Sequence, residues 1–331
     1  MRLILAPLAE FTDAPFRLMC AEGGADMAYT EMVSAAALAH GSSPTRHLLE
    51  TMPGEAPLGC QLFGGDAADM ARATAEVEKI KDRFVELNLN AGCPMPRIIK
   101  SGAGARLVED PKLTYELLVA MKENTSLPVT LKTRLGPHRG DNRIFELADA
   151  ARSAGASGLI VHARYTSQMH GGPLNLETLA EVVGRMDIPV VGNGSVRTRE
   201  DVDAMAQTGV AAVMIGRAAL PDPAIFMKLK GVDAPPPWGD RHPCLVHLDR
   251  ILAFRKTLEA KFPEDHVPCE DGYVGIKMHT HLFRYFNGIP GAAKLRKQLN
   301  SIRTLAEARA AIAPFVRTSC KTSCRYDFSN H

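Results

Sequence analysis

The sequence predicts an α/β fold, a (β/α)8 TIM barrel followed by a small all-α helical domain, and three observations predict it. Eight short apolar runs rich in β-formers recur along the chain, segments of helical period lie between them, and after the eighth run only helical segments follow. The runs cover residues 2–7, 27–33, 57–64, 84–90, 128–136, 158–164, 189–194 and 212–217. They begin about every 23 to 31 residues, with one interval of about 44 between the fourth and fifth. Alternation of near-continuously apolar strands with helices requires a parallel sheet covered on its faces, and eight such units close a barrel.

The first run leads into Ala6-Pro7-Leu8-Ala9-Glu10-Phe11-Thr12-Asp13, with no G-x-G-x-x-G turn, so an open dinucleotide-binding sheet finds little support. Helical period marks residues 67–79, 113–122, 145–154, 176–186 and 199–207. Asp66 and Thr198 stand where N-caps belong, and Gly155 and Gly209 where helices stop. Past Arg217 come Pro221, Pro223 and Pro235-Pro236-Pro237-Trp238-Gly239, a linker between a barrel over 1–234 and a helical domain over 240–317. In that domain, helices are expected over 245–260, 273–286, 292–299 and 305–315. Residues 318–331 read as a poorly ordered polar tail. Its Cys320 and Cys324 could bind metal, but a plain tail is the favoured reading and no metal site is expected.

Composition excludes several classes. A chain of 331 residues, 46% hydrophobic and 23% charged, is neither disordered, collagen-like nor a small disulfide scaffold. No apolar run reaches about eighteen residues and the start is too short for a signal peptide, so a soluble cytoplasmic protein without membrane contact is expected. Seven scattered cysteines suit a reducing compartment, with Cys20, Cys60, Cys244 and Cys269 read as buried and inert. The net charge of +2 hides a division. Residues 1–239 carry 24 Lys/Arg against 28 Asp/Glu, whereas residues 240–331 carry 15 against 9. Between residues 272 and 306, Lys277, Arg284, Lys294, Arg296, Lys297 and Arg303 stand with no acid among them, a basic face that is either solvated or grips RNA.

Chemistry in a TIM barrel sits on the loops after the strands, and phosphate commonly binds after the last two. Here those loops are Gly192-Asn193-Gly194-Ser195-Val196 and Ile215-Gly216-Arg217-Ala218, with glycines for close backbone approach and a guanidinium for phosphate oxygens. Other strand ends carry Gln61, then Asn88 and Asn90, then Lys132 and Arg134, then His162 and Arg164. Singly, each of these could simply face water. Together they suit a flat polar heterocycle such as a flavin or pyridine ring. Cys93 lies in the long fourth loop between Gly92 and Pro94, where a thiol can act as an acid or, once activated, as a nucleophile.

Taken in order, Leu89-Asn90-Ala91-Gly92-Cys93-Pro94, Gly102-Ala103-Gly104-Ala105, Leu131-Lys132-Thr133-Arg134-Leu135-Gly136, Val161-His162-Ala163-Arg164, Gly192-Asn193-Gly194 and Ile215-Gly216-Arg217 resemble the tRNA-dihydrouridine synthases. So do Ala6-Pro7-Leu8-Ala9, Thr12-Asp13-Ala14-Pro15-Phe16-Arg17 and Asn287-Gly288-Ile289-Pro290-Gly291-Ala292, and the likeness spans about residues 3 to 315. The resemblance implies an FMN-dependent enzyme that uses NADPH to reduce the C5–C6 bond of particular tRNA uridines. By matching position, Pro7, Leu8 and Ala9 would line the flavin with Gln61 and Lys132, and His162 would approach its ring. Asn193, Gly194, Ser195, Gly216 and Arg217 would hold its phosphate. Asn90 and Arg134 would contact a flipped uracil, with Arg164, Lys277, Arg284, Lys294, Arg296 and Lys297 expected on the RNA. Hydride would pass from flavin N5 to C6 and Cys93 would protonate C5. The chain departs from the family pattern at Pro96 and Arg97, where a lysine is often found, at Ser195 in place of aspartate, and at Ala163-Arg164-Tyr165. A small-molecule flavin oxidoreductase of the dihydroorotate or enoate type, or a non-catalytic tRNA-binding protein, are the alternatives. No obligate protein partner is evident.

Overall fold

A computed structural model of the chain describes residues 1–286 and 290–319. Its strands are β1 (Arg2–Leu5), β2 (Met27–Tyr29), β3 (Val33–Ser34), β4 (Leu58–Phe63), β5 (Glu86–Ala91), β6 (Val129–Arg134), β7 (Gly158–His162), β8 (Val190–Asn193) and β9 (Ala212–Ile215). Every pairing is parallel, and because β1 pairs with both β2 and β9 while β2 pairs with β4, eight strands close into the expected barrel. The second expected strand is divided. Gln61 N donates to the Thr30 hydroxyl at 3.0 Å rather than to a backbone carbonyl, so the ladder breaks after Tyr29 and resumes at β3, where Val33 faces Leu62.

Alternation along the strands sorts side chains into two cores. Leu3, Leu5, Leu62, Leu89, Leu131 and Val161 point outward into the main hydrophobic core beneath the helices. Ile4, Met27, Tyr29, Ile160, Ala212 and Met214 pack together in a second, separate cluster inside the barrel. That cluster comes from β1, β2, β7 and β9. Three strands expected to be near-continuously apolar instead alternate: β5, Glu-Leu-Asn-Leu-Asn-Ala, buries its polar residues inward, and the register aligns Gln61, Asn88 and Thr130 across β4, β5 and β6. Polar groups are tolerable there only because they bond to one another.

Helices Ala67–Glu78, Pro111–Lys122, Arg143–Ser153, Leu176–Arg185 and Arg199–Ala206 fall where the periodicity places them. Asp66 accepts from Asp69 N at 2.8 Å, and Thr198 forms a capping box with Asp201. Helix Ala14–Glu22 lies in an interval to which the sequence pattern assigns none; Asp13 caps it by accepting from Phe16 N at 3.1 Å.

Beyond the barrel, helices Pro243–Lys261, Glu270–His281, Ala292–Ser301 and Leu305–Ser319 share a core that includes Leu248, Val274, Tyr285, Phe286 and Leu295. They dock on the barrel through Ala14 against Ile251, Phe254 and Leu258. An ion pair, Arg250–Glu22 at 2.7 Å, and a hydrogen bond between His47 Nε2 and Asp265 Oδ2 at 2.9 Å flank that contact. Cys269 is exposed, contrary to expectation, because it sits in the loop before helix Glu270–His281 rather than on a packed face. Cys20, Cys60 and Cys244 are buried as expected. The last helix runs to Ser319, into the segment expected to be tail, and Cys320 and Cys324 lie outside the described residues, as do Asn287, Gly288 and Ile289. Among the described residues no helix is long and apolar enough to cross a membrane and no metal-ligand cluster occurs.

Arg17 fastens the N-terminal helix. It is 1% exposed and donates to Glu55 Oε2 at 2.6 Å, Thr12 O at 2.9 Å and Glu50 O at 2.8 Å. Replacing it by methionine strands a buried carboxylate on Glu55, so Arg17→Met is expected to cost about 3–5 kcal/mol. Thermal unfolding checks this, and Arg17→Met/Glu55→Leu should recover part of the loss.

Candidate active site

The polar side chains at the strand ends occupy two levels. Gln61 and Asn88 are fully buried, below the rim where the sequence suggests them, and Asn90 is nearly so. Gln61 Nε2 donates to Asn88 Oδ1 at 2.7 Å, Asn88 Nδ2 to Thr130 Oγ1 at 2.8 Å, and Asn90 Nδ2 to Gln61 Oε1 at 2.8 Å. Asn90 Oδ1 in turn accepts from Gly92 N at 3.1 Å and Cys93 N at 3.0 Å, so Asn90 shapes the turn that carries the cysteine.

That turn is closed from its other end. Ala105 N donates to Cys93 O at 2.9 Å, and Gly104, at φ 62°, brings the chain so close that a Cβ there would stand 2.7 Å from Cys93 O. Arg134, 2% exposed, adds Nε–H to Gly92 O at 2.8 Å and Nη1–H to Tyr165 O at 3.3 Å. Burial pushes the Cys93 thiol above its ordinary 9.0, outweighing the backbone of Met95 and the charges of Arg134 and Lys132, which pull it down. At neutral pH the group is a thiol.

Cations fill the mouth. Lys132 Nζ donates to Asn193 Oδ1 at 3.3 Å, while Asn193 Nδ2 donates to Met214 O at 2.8 Å, tying β6, β8 and β9 together. Burial, reinforced by Arg134, brings Lys132 down to about 7. Burial and the charges of Arg134, Lys132 and Arg164 hold His162 far below its usual range, so its imidazole is neutral and Nε2 accepts from Arg164 Nη1 at 3.4 Å. His170, whose ring lies 6.5 Å from that of His162, is lowered to about 4 by burial and by Arg217 and Arg134. Arg217 Nη2 donates to His170 O at 3.2 Å. Arg164 and Arg217 are lowered too, by burial first and then by neighbouring guanidiniums that include Arg197.

Backbone geometry follows the charge. Gly194 has φ 134° and Ser195, not a glycine, has φ 46°, a left-handed turn that costs energy and marks a site whose conformation is imposed. A Cβ on Gly194 would stand 2.6 Å from Leu174 and 3.1 Å from the His162 ring. Arg164 Nη2 donates to Ser195 Oγ at 2.7 Å and to Gly172 O at 2.7 Å. Because β1 pairs with β9, the segment after β1 passes Gly216, where a Cβ would be 3.6 Å from Ala6 Cβ and from Leu8 Cδ2.

The sequence pattern of dihydrouridine synthases matches residues 4–320. The chain belongs to the dihydrouridine synthase family. The tRNA-dihydrouridine synthase B of Pseudomonas aeruginosa is 31% identical over 316 residues, 95% of this chain and 92% of that protein. The tRNA-dihydrouridine(16) synthase of Salmonella typhimurium is 35% identical over 251 residues, covering 72% of this chain and 80% of its own. Among solved structures, that of TcOYE with pHBA covers 70% of this chain and 88% of its own, at a TM-score of 0.52 and 12% identity, a likeness of fold alone.

Within the dihydrouridine synthase barrel, the residues expected on RNA are dispersed. Arg164 is buried and braces the loop at Ser195. Lys294 and Lys297 are exposed on helix Ala292–Ser301, and the side chains of Lys277 and Arg296 lie outside the described residues. Arg284 is half-buried, its guanidinium 5.5 Å from the Phe11 ring, and its charge reaches Arg217. Arg197 joins the cation cluster and the neutral His170 lies against it, although nothing in the sequence singled them out. Arg197 stands two residues past Ser195, which was the available signal.

Lys132 gives the site a pH signature. Its folded-state value near 7 lies below the ordinary 10.5, so between these limits the unfolded chain holds the extra proton and stability rises with pH. Lys132→Met should therefore stabilise the ligand-free protein most at pH 6, with the advantage shrinking as pH climbs toward 10. Thermal midpoints of both proteins across that range test it.

Proposed function

We propose that this protein reduces particular uridines of tRNA to 5,6-dihydrouridine in the cytoplasm, using FMN and NADPH. A cluster of Arg164, Arg197 and Arg217 around the left-handed turn at Gly194 and Ser195, on the same mouth as a protonated Cys93, carries the reading. Such a donor set fits a phosphate-bearing flavin: the backbone at Asn193, Gly194, Ser195 and Gly216 would cradle the phosphate with Arg217. Pro7, Leu8, Ala9, Gln61 and Lys132 would line the ring, with His162 beside it. When bound, FMN, re-reduced by NADPH, supplies the hydride that uracil C6 receives.

The chain's own residues do the rest. Lys132 and Arg134 stabilise charge that develops on the uracil carbonyl. Cys93 holds the proton for C5, and burial keeps it there against two nearby cations. Asn90 fixes the Cys93 N–H and so the place of the thiol. Residues 1–234 form the catalytic barrel, and residues 240–317 hold the tRNA through Lys277, Arg284, Lys294, Arg296 and Lys297. The uridine must leave its stack to reach Cys93, and the backbone contacts that hold the rest of the tRNA offset that cost.

Cys93→Ala should keep its fold and its FMN, and NADPH should still bleach the flavin, while dihydrouridine formation falls by about 10²–10⁴-fold. Mass spectrometry of the tRNA product decides it; undiminished product would remove Cys93 from the acid role. Lys294→Ala/Lys297→Ala should weaken tRNA binding and flatten the plot of log affinity against log salt by about two units of slope. Filter binding from 50 to 300 mM salt, ranges on the order of those used for such slopes, measures it.

A further inference from the structure

The barrel interior holds polar groups for which the proposed reaction has no use: buried Tyr29, Asn88 and Thr130, and half-buried Glu86. We propose that Asn88 is a positioning residue, which locks the side-chain amides of Gln61 and Asn90 in one orientation and thereby sets the Cys93 turn. For its consequence in catalysis this rests on the uridine-reduction reading and deepens that site.

The hydrogen bonds run in a single sense. Gly92 N and Cys93 N donate to Asn90 Oδ1, Asn90 Nδ2 to Gln61 Oε1 at 2.8 Å, Gln61 Nε2 to Asn88 Oδ1 at 2.7 Å, Asn88 Nδ2 to Thr130 Oγ1 at 2.8 Å, and Thr130 Oγ1 to Glu86 Oε1 at 2.6 Å. Each amide receives on one side and gives on the other. Turning Gln61 or Asn90 over sets N–H against N–H on one side and oxygen against oxygen on the other, and turning Asn88 over sets N–H against N–H at Gln61 and draws the Thr130 proton away from Glu86. The sense is decided at the floor of the barrel, where Glu86 Oε1 accepts from both Thr130 and Tyr29. Tyr29 stays a donor because burial and Glu86 raise its phenol well above 10.0. Gly59 makes room for this arrangement: a Cβ there would stand 2.5 Å from the Tyr29 ring.

Asn88 is fully buried, and its side-chain hydrogen bonds run to Gln61 and Thr130. It aligns with Gln61 on one side and Thr130 on the other, so it converts the fixed polarity of Glu86 and Thr130 into a fixed face of Gln61. From Gln61 the polarity passes to Asn90, whose Oδ1 must face the Cys93 N–H for the turn to hold. Asn88 acts on the cysteine through two other residues and touches no reacting atom.

The test is the pH profile of Cys93 alkylation by iodoacetamide in flavin-free protein, read by mass spectrometry of the Cys93 peptide so that Cys269 does not interfere. Asn88→Leu removes both ends of the relay. Its Cys93 turn should loosen and the thiol lose part of the burial that raises it, moving the profile about one pH unit lower and speeding alkylation about tenfold at pH 8. Asn88→Asp keeps the acceptor for Gln61 and should stay within about threefold of the unaltered protein, a difference worth less than half a pH unit. Should Asn88→Leu fail to fold, Thr130→Val, which removes the acceptor for Asn88 Nδ2 with little change of shape, is expected to shift the profile the same way. A folded Asn88→Leu, or in its absence a folded Thr130→Val, with an unshifted profile overturns the proposal. A tRNA assay on the unaltered protein runs beside it: no dihydrouridine there defeats the functional reading and leaves the alkylation result standing on its own.

Discussion

Eight parallel strands leave no edge, but they enclose an interior, and three adjacent strands of this barrel turn polar side chains into it. A buried amide without a partner costs on the order of 1–3 kcal/mol, so a stack of them inside a closed barrel is stable only when each is matched. The relay from Asn90 to Glu86 meets that condition, and the apolar half of the interior, Ile4, Met27, Ile160 and Met214, fills the remaining space without competing for those hydrogen bonds. The site above inherits its rigidity from this division. Asn90 is held by Gln61 from below and holds Cys93 from above, so the loop that carries Cys93 is continuous with the packed interior.

The mouth is balanced differently. Around β6 to β9 stand Lys132, Arg134, Arg164, Arg197 and Arg217, and after burial the lowered arginines owe their shifts to neighbouring guanidiniums: Arg134 to Arg164 and Arg217, Arg164 to Arg217 and Arg197, and Arg217 to Arg197 and Arg284. Depression of one guanidinium by its neighbours means that the cluster is destabilised by its own charge. The left-handed Ser195 adds a backbone cost of order 1–3 kcal/mol in the same place. Backbone strain and like-charge repulsion thus fall at the same place on the barrel mouth.

Much of this was legible in the sequence. All eight runs became strands, the second in two pieces, and the glycines at 194 and 216 stand directly after β8 and β9. Periodicity did not resolve the alternation within β5, because Leu87 and Leu89 make the run read as apolar while Asn88 and Asn90 make its far end read as polar. Which of those asparagines faces the mouth depends on depth in the barrel, a property of register between strands rather than of any one strand. Arg164 illustrates the same limit: at a strand end it was read among the groups that meet substrate or RNA, whereas its place behind Ser195 is fixed by its hydrogen bonds to Gly172 O in the following turn. His170 and Arg197 escaped notice because loop residues carry no period.

The division of charge between the barrel and the helices suggests two independent parts, one for chemistry and one for grip, and the packing argues against independence. Phe11 lies just past Ala9, in the loop after β1, and its ring meets His281 at 5.3 Å and the guanidinium of Arg284 at 5.5 Å. Phe16 meets His281 at 4.5 Å, and His281 stacks on Tyr285, whose hydroxyl lies 3.0 Å from His247 Nδ1. The helices therefore brace the loop that follows the first strand, and through the pairing of β1 with β9 that loop adjoins Gly216 and Arg217. Any macromolecule seated on Lys294 and Lys297 is held at a fixed distance and angle from the mouth, because the surface it touches and the wall of the site belong to one packed assembly.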